Sequence, residues 1–373
     1  MKNQILAIAG VTMLALASCT STAPESGRAA AFESTVEGKA TALYTLKNAS
    51  GAYVEITNYG GRVVSINVPD RDGKLTDVVL GYDNIDDYVN DKPGNFGALI
   101  GRYGNRIENG QYVIDGDTSK LEVNNGPHTL HGGTVGYHHS VWDAKQLSDS
   151  TLELTLEDKA IGGFLGNVNV KVLYTFTADN ALRIDYEATT DKATHVNLTN
   201  HSYFHLSGDH SKDVLDQEVM IAADSITPID STFMTHGTMM AVEGTAFDFR
   251  KAKPVGQDIN KDEEQLKNGA GYDHNFVLNT RGDLSKVCAT VFSAKTGILM
   301  EVFTTEPGLQ FYVGNFLDGT AKGKGGVAYP YRGTVVMETQ HYPNSPNQPE
   351  YPSTLLRPGE TYHSTCIYKF STK

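Results

Sequence analysis

Five short polar islands interrupt an otherwise strand-like and glycine-rich chain. They are Gly104-Asn105-Arg106-Ile107, Leu130-His131-Gly132-Gly133, Asn200-His201-Ser202-Tyr203-Phe204, Tyr272-Asp273-His274-Asn275-Phe276 and Met337-Glu338-Thr339-Gln340. Taken singly, each has an ordinary structural explanation. A histidine beside aromatics is usually a satisfied core residue, a glutamate after Val-Val-Met is a strand-end charge, and an arginine after asparagine is a structural donor. Taken together they supply Arg, His, Asp, Glu and Tyr side chains, an inventory suited to a small polyhydroxylated ligand. Carboxylates accept hydroxyl hydrogens, while Arg and His donate to hydroxyl oxygens. The glycines after His131 let backbone approach such a ligand closely.

Other spacings that support chemistry elsewhere fail here on context. Gly101-Arg102-Tyr103-Gly104 lacks the rest of a dinucleotide fingerprint, and no strand–helix–strand unit surrounds it. Gly323-Lys324-Gly325-Gly326 lacks the spacing and the Ser/Thr of a phosphate loop and reads as a flexible loop. There is no Gly-x-Ser-x-Gly elbow to mark a serine hydrolase. His201 and His205 are four apart, but a metal pair at that spacing needs a helix. The preceding Val196-Asn197-Leu198-Thr199 alternates like a strand, where positions four apart are separated by more than about a dozen ångströms. His138 and His139 read as strand neighbours facing opposite ways. No metal site is therefore expected. Cys288 and Cys366 fall in strand-like stretches. They either pair in an oxidising compartment or sit as small buried apolar side chains. The absence of Cys-x-x-Cys removes support for thiol redox or zinc-ribbon chemistry.

Bringing these islands together requires a chain that folds back on itself many times, and its pattern does so. Val168, Val170, Val172, Tyr174 and Phe176 occupy every second position, as do Leu182, Ile184, Tyr186 and Ala188 after the turn residues Ala178-Asp179-Asn180. That period places one face on a core, and the turn predicts a hairpin. Further strands are expected at 53–57, 63–68, 152–157, 287–292, 299–304, 309–314, 335–339 and 365–370, with one short helix near 262–267. The 37 glycines supply the turns. Many strands with little helix argue a β-sandwich or barrel. Residues 32–373 read as one catalytic domain, because no Pro/Ser-rich linker divides them. The 373-residue chain is 39% hydrophobic and 20% charged, with a formal net charge of −13. This is globular composition, and its acidity argues against nucleic acid as a partner. No dense Lys/Arg cluster is present to clamp a sugar phosphate; Arg250, Lys251 and Lys253 read as a solvated turn.

The N-terminus carries a separate message. Residues 5–16 form an uncharged apolar run of signal-peptide length, too short to span a bilayer. It ends in Leu16-Ala17-Ser18-Cys19, which resembles a bacterial lipobox. On that reading 1–18 is a signal peptide, Cys19 is the lipidated first residue, and 19–31 is a flexible tether rich in Ser, Thr, Ala and Gly. The competing reading is an ordinary signal peptide cut near Ala17. The expectation is an exported lipoprotein facing the periplasm, touching the membrane only through Cys19.

The islands, in this order, resemble those of the aldose 1-epimerases, also called galactose mutarotases. The correspondence includes Gly104-Asn105-Arg106-Ile107, Leu130-His131-Gly132-Gly133, Asn197-Leu198-Thr199-Asn200-His201-Ser202-Tyr203-Phe204 and Asp273-His274-Asn275-Phe276. It continues through Gly308-Leu309-Gln310-Phe311-Tyr312, Gly314-Asn315-Phe316, Glu338-Thr339-Gln340 and Leu356-Arg357-Pro358-Gly359-Glu360, so it spans essentially the whole chain after residue 50. The resemblance implies a large all-β antiparallel sandwich of the galactose mutarotase type. It implies His201 as general acid and Glu338 as general base, with Asn105, Arg106, His131, Tyr203, Asp273 and Gln310 contacting the sugar. It implies a free aldose as substrate, no metal or organic cofactor, and a monomer or homodimer. Two departures bear on specificity. His205-Leu206 stands where the family usually has Asn-Leu, and Gly136-Tyr137-His138-His139 stands where it usually has Gly-Phe-Asp-Lys. The rival readings are a sugar-binding lipoprotein without turnover, and a glycosidase with Asp273 as its second carboxylate.

Overall fold

The computed structural model describes residues 25–91 and 94–373. Among them, the strands form a nine-stranded, a six-stranded and a four-stranded antiparallel sheet, together with several two-stranded ladders. The nine-stranded sheet runs in space from Asp143–Ser148 through Thr151–Lys159, Asn167–Phe176, Ala181–Thr190, Tyr362–Thr372, Ile298–Thr304, Ala289–Phe292 and Glu218–Ile221 to Lys253–Pro254. Its central hairpin is the one expected from alternation, with Val172 opposite Tyr186 and Tyr174 opposite Ile184. Every second side chain of Asn167–Phe176 is buried, so the period-2 pattern is realised as one face on the core.

The six-stranded sheet lies across that core. Its order is Tyr203–Phe204, Val335–Gln340, Gly308–Tyr312, Asp273–Leu278, Ala223–Thr227 and Met240–Ala241. Leu309, Phe311, Phe276, Val335 and Met337 join Val172, Tyr174, Ile184, Met300 and Tyr368 of the larger sheet in one apolar cluster. The Tyr368 hydroxyl donates to the Met337 carbonyl at 2.8 Å, tying the layers together. This is the all-β sandwich expected from the sequence. The alternation that sends Val335, Met337, Leu309 and Phe311 into the core sends Glu338, Gln340 and Gln310 to the opposite face. All of Val335–Gln340 and Gly308–Tyr312 is buried on both faces, so the polar face is covered as well, and it floors a cleft.

Several local expectations need correction. The last residues assigned to the tether, Glu25–Ala30, form a short helix. Arg28 anchors it, with Nε 2.8 Å from Glu55 and Nη1 3.0 Å from Asp83, and Phe32 behind it is fully buried. Lys253 is not solvated: its ammonium is buried against Asp258 at 2.7 Å and over the Phe249 ring. Lys324, in the glycine-rich stretch read as flexible, bonds Asp77 at 2.6 Å within the turn Lys324–Gly326. Cys288 and Cys366, by contrast, are as the second of their two readings expected, buried and not joined in a disulfide. No helix among the described residues is long and apolar enough to cross a membrane. Cys19 and the signal-peptide reading lie outside the described residues.

Candidate active site

The candidate side chains reach the cleft from several strands and from the residues flanking them. Glu338 sits on strand Val335–Gln340, with Gln310 as its cross-strand partner, and Gln310 in turn faces Asn275. Asp273 starts the next strand, and the Gln310 amide donates to its Oδ1 at 2.6 Å. Gln340 completes the floor, donating to Asn275 at 3.2 Å. A side-chain amide thus fixes the Asp273 carboxylate in a dry environment, where an unpaired polar group is costly.

His201 arrives from the other side. It ends the three-residue strand Thr199–His201, which pairs with Ala98–Ile100, and Tyr203–Phe204 then pairs with Val336 and Val335 beside Glu338. The step between these two strands is held by Asn200. Its Oδ1 accepts from the Ser202 amide at 3.1 Å and hydroxyl at 2.6 Å, and its Nδ2 donates to the Gly97 carbonyl at 2.9 Å. The Gly97 amide donates back to the His201 carbonyl at 3.0 Å. Only glycine suits this spot: its φ is +69°, and an added Cβ would lie 2.0 Å from the Val63 carbonyl oxygen.

Asn105, Arg106 and His131 come from one ladder, Arg106–Ile107 against Thr129–Leu130. The Asn105 amide donates to His131 Nδ1 at 3.1 Å, and the His131 amide donates to the Asn105 carbonyl at 3.1 Å. Arg106 lies over the Phe233 ring and donates to Asn125 at 3.0 Å.

The result is a cleft of about 1270 Å³ lined by all eight sequence-derived candidates: Asn105, Arg106, His131, His201, Tyr203, Asp273, Gln310 and Glu338. At its floor His201 Nε2 lies 3.3 Å from Glu338 Oε1, with both side chains almost wholly buried. Tyr203 stacks on the His201 imidazole at 4.9 Å, and His131 meets the same ring edge-on at 5.4 Å. Burial shifts both central groups toward neutrality. It lowers the His201 pKa to about 3. It also raises that of Glu338 well above the carboxylate range, helped by the charge of Asp273 and opposed by Arg106. Asp273 is raised for the same reason, burial first, against Arg106 and the Gln310 hydrogen bond. His201 Nδ1 and Glu338 Oε2 have no protein partner, so both groups retain hydrogen-bonding capacity for a ligand.

His131, His201 and Glu338 bring ligand-type atoms within 4.8 Å of one another. The tautomer of His131 disfavours a metal there. Its Nδ1 accepts the Asn105 amide proton, so the neutral ring carries its own proton on Nε2 and has no lone pair left for a cation.

Sequence reasoning missed several cleft residues. Tyr59, Phe233 and Tyr312 line it; Tyr59 and Phe233 are single aromatics with no pattern that separates them from core, and Tyr312 was seen only as part of the Gly308–Tyr312 motif, with no site role. His138 and His139 also line it. They sit in the short turn Tyr137–His139 rather than a strand, and their rings are 4.2 Å apart instead of facing opposite ways. His205 takes no part: it bonds the Lys212 carbonyl at 3.1 Å and Ser207 at 3.1 Å.

Residues 42–369 match the family model for aldose 1-epimerase. The chain belongs to the aldose 1-epimerase family. It is 42% identical to the galactose mutarotase of Rattus norvegicus over 318 residues, covering 85% of this chain and 91% of that one. It is 40% identical to the aldose 1-epimerase of Escherichia coli K12 over 337 residues, covering 90% and 96%. Among solved structures, an aldose epimerase homologue from C. elegans superposes with a TM-score of 0.82 at 30% identity, covering 89% of this chain and 99% of that one. A galactose 1-epimerase from Lactobacillus acidophilus superposes at 0.79 and 28% identity, covering 91% and 97%. The sandwich fold of this chain is therefore shared with those solved structures.

Proposed function

We propose that this epimerase interconverts the α and β anomers of free aldoses such as galactose and glucose, with Glu338 as general base and His201 as general acid. The observation that carries this reading is the approach of His201 Nε2 to Glu338 Oε1, 3.3 Å apart and buried at the bottom of a polar cleft. Anomer exchange opens the ring, rotates about C1–C2 and closes it again. Opening takes a proton from the C1 hydroxyl and delivers one to the ring oxygen. Glu338 removes the first and His201 supplies the second, and closure runs both transfers in reverse. The pair then returns to its starting state with no cofactor consumed.

The shifted pKa values fit this use. Burial opposes charge on either group, so the empty pair holds one proton in common. Imidazolium with carboxylate is a tautomer of neutral imidazole with carboxylic acid. The working ion pair is therefore reached by moving a proton along a short contact, without exchange with solvent. Asp273, Gln310, Arg106, Asn105 and the Nε2–H of His131 surround the pair with donors and acceptors for the remaining hydroxyls, and Tyr203, stacked on His201, lines the same cleft. Each positioned acid or base contributes roughly 10²–10⁴-fold, enough for a reaction that already proceeds in water.

Export and anchoring through Cys19 belong to the same proposal. They are supported by the apolar run at 5–16 and the Leu16-Ala17-Ser18-Cys19 sequence. The catalytic reading is tested by polarimetry on freshly dissolved α-galactose and α-glucose. The native protein should bring the rotation to equilibrium faster than buffer alone; relaxation at the spontaneous rate for every free aldose tried would remove the assignment.

A further inference from the structure

His201 and Glu338 are 3.3 Å apart, yet the ladder between their segments stops short of them. Strand Val335–Gln340 pairs with Tyr203 through Val336 and with Phe204 through Val335. Carried on by two residues, that register would place His201 opposite Glu338. Carried on by five, it would place Leu198 opposite His341. Thr199–His201 pairs with Ala98–Ile100 instead. One end of the His201 segment is thus tied to the Glu338 strand by main chain, and the other end needs a different tie.

Asn197, fully buried, supplies it. Its Oδ1 accepts from the His341 amide at 2.9 Å. Its Nδ2 donates to the Gly104 carbonyl at 3.0 Å and to the His341 carbonyl at 3.4 Å. Its backbone bonds the same loop: the Gly104 amide donates to the Asn197 carbonyl at 2.7 Å, and the Asn197 amide donates to the Arg102 carbonyl at 3.1 Å. Gly104 directly precedes Asn105, and His341 directly follows the strand that carries Glu338. One side-chain amide therefore joins the segments bearing the proposed acid, the proposed base and a proposed sugar contact. A second tie runs beside it. The Leu198 amide donates to the Tyr362 hydroxyl at 3.3 Å, which donates to Glu306 at 3.2 Å. Glu306 is buried and lies 2.5 Å from His341 Nδ1. Burial opposes charge on His341, but the Glu306 carboxylate outweighs it and raises the imidazole pKa. Separating such a buried pair is costly.

We propose that Asn197 is a positioning residue that sets the spacing of His201 and Glu338, with Tyr362, Glu306 and His341 as a reinforcing chain. This role rests on the acid and base functions proposed for the two central residues. Asn197 does not line the cleft, so it acts through its neighbours and not on the sugar.

The test measures polarimetric rates from pure α-galactose and thermal melting for Asn197→Ala and Tyr362→Phe, with Glu338→Gln in parallel. Assays run well below each melting midpoint, so that loss of folded protein does not enter kcat. Asn197→Ala should lower kcat by about 10- to 100-fold, the effect of a displacement of up to about 1 Å, and leave KM close to native. Tyr362→Phe should lower kcat by about 3- to 10-fold, as one lost hydrogen bond does, again with KM close to native. A native kcat in folded Asn197→Ala overturns the positioning role, whether the melting temperature drops or KM rises. If Asn197→Ala does not fold, Tyr362→Phe decides, and a native kcat there overturns the role. Loss of kcat in Asn197→Ala alone removes the reinforcing chain and keeps Asn197. Native activity in Glu338→Gln overturns the acid–base reading, and the positioning role with it. An inactive Glu338→Gln beside fully active Asn197→Ala and Tyr362→Phe overturns the positioning role only.

Discussion

At the scale of single residues, the account reduces to one proton shared by His201 and Glu338. Replacing Glu338 with Gln keeps its shape and removes the proposed base; replacing His201 with Asn removes the proposed acid. Each change should lower kcat by about 10²–10⁴-fold with a smaller effect on KM, as measured by progress curves from pure anomers. The pH profile follows from the same proton. Above the raised Glu338 pKa the pair loses its only proton, and no acid remains. As pH falls toward about 3, His201 gains a charge alongside protonated Glu338, and no base remains. Activity should therefore fall both as pH rises through the raised Glu338 pKa and as it drops toward about 3; a kcat/KM profile checks this. Seven of the eight candidates fall in polar islands that stand out in Val/Phe/Gly-rich surroundings; Gln310, and the role of each residue, came only from the family resemblance. Tyr59 and Phe233 were not legible, nor was Tyr312 as a site residue, since an isolated aromatic has the same signature in a core and in a sugar cleft.

At the scale of elements, long strands were legible and short ones were not. The hairpin Asn167–Phe176 with Ala181–Thr190 follows from ten-residue alternation on each side of a polar turn. The pieces that deliver His201 are strands of three and two residues, Thr199–His201 and Tyr203–Phe204, too short for any period to emerge. The adjacent histidines show the same limit: a three-residue turn reads as a strand from sequence and places two rings together instead of apart. These short pieces depend on backbone bonds made by glycine. Gly97→Ala would force a side chain into a left-handed conformation and onto the Val63 carbonyl. It should cost at least about 1–2 kcal/mol of stability and reduce activity as well, because the same residue bonds the His201 carbonyl. Thermal melting and a rate assay on one preparation would check both.

At the scale of the whole molecule, burying many histidines sets the response to acid. Burial lowers His195 and His210 to about 4 and His201 and His274 to about 3, whereas unfolded histidine titrates near about 6.5. Between those values the unfolded chain binds more protons than the folded one, so stability from this set is present at neutral pH and falls on acidification. The raised groups Asp91, Asp273, Glu338 and His341 act in the opposite sense, but they are fewer once the lowered His128, His131, His138 and His205 are included. The melting temperature should drop from pH 6.5 to pH 4 at constant ionic strength, as followed by circular dichroism. The sandwich itself was legible at this scale from alternation and glycine punctuation. The cleft was not, because its floor is the reverse face of a buried sheet and only the assembled sheets reveal that face as polar. Magnetisation exchange between the α and β C1 signals of ¹³C-galactose at equilibrium tests the central claim most directly. Native protein should produce exchange cross-peaks, and Glu338→Gln protein that still binds galactose should abolish them; exchange at the native rate in that variant would contradict the paired acid and base.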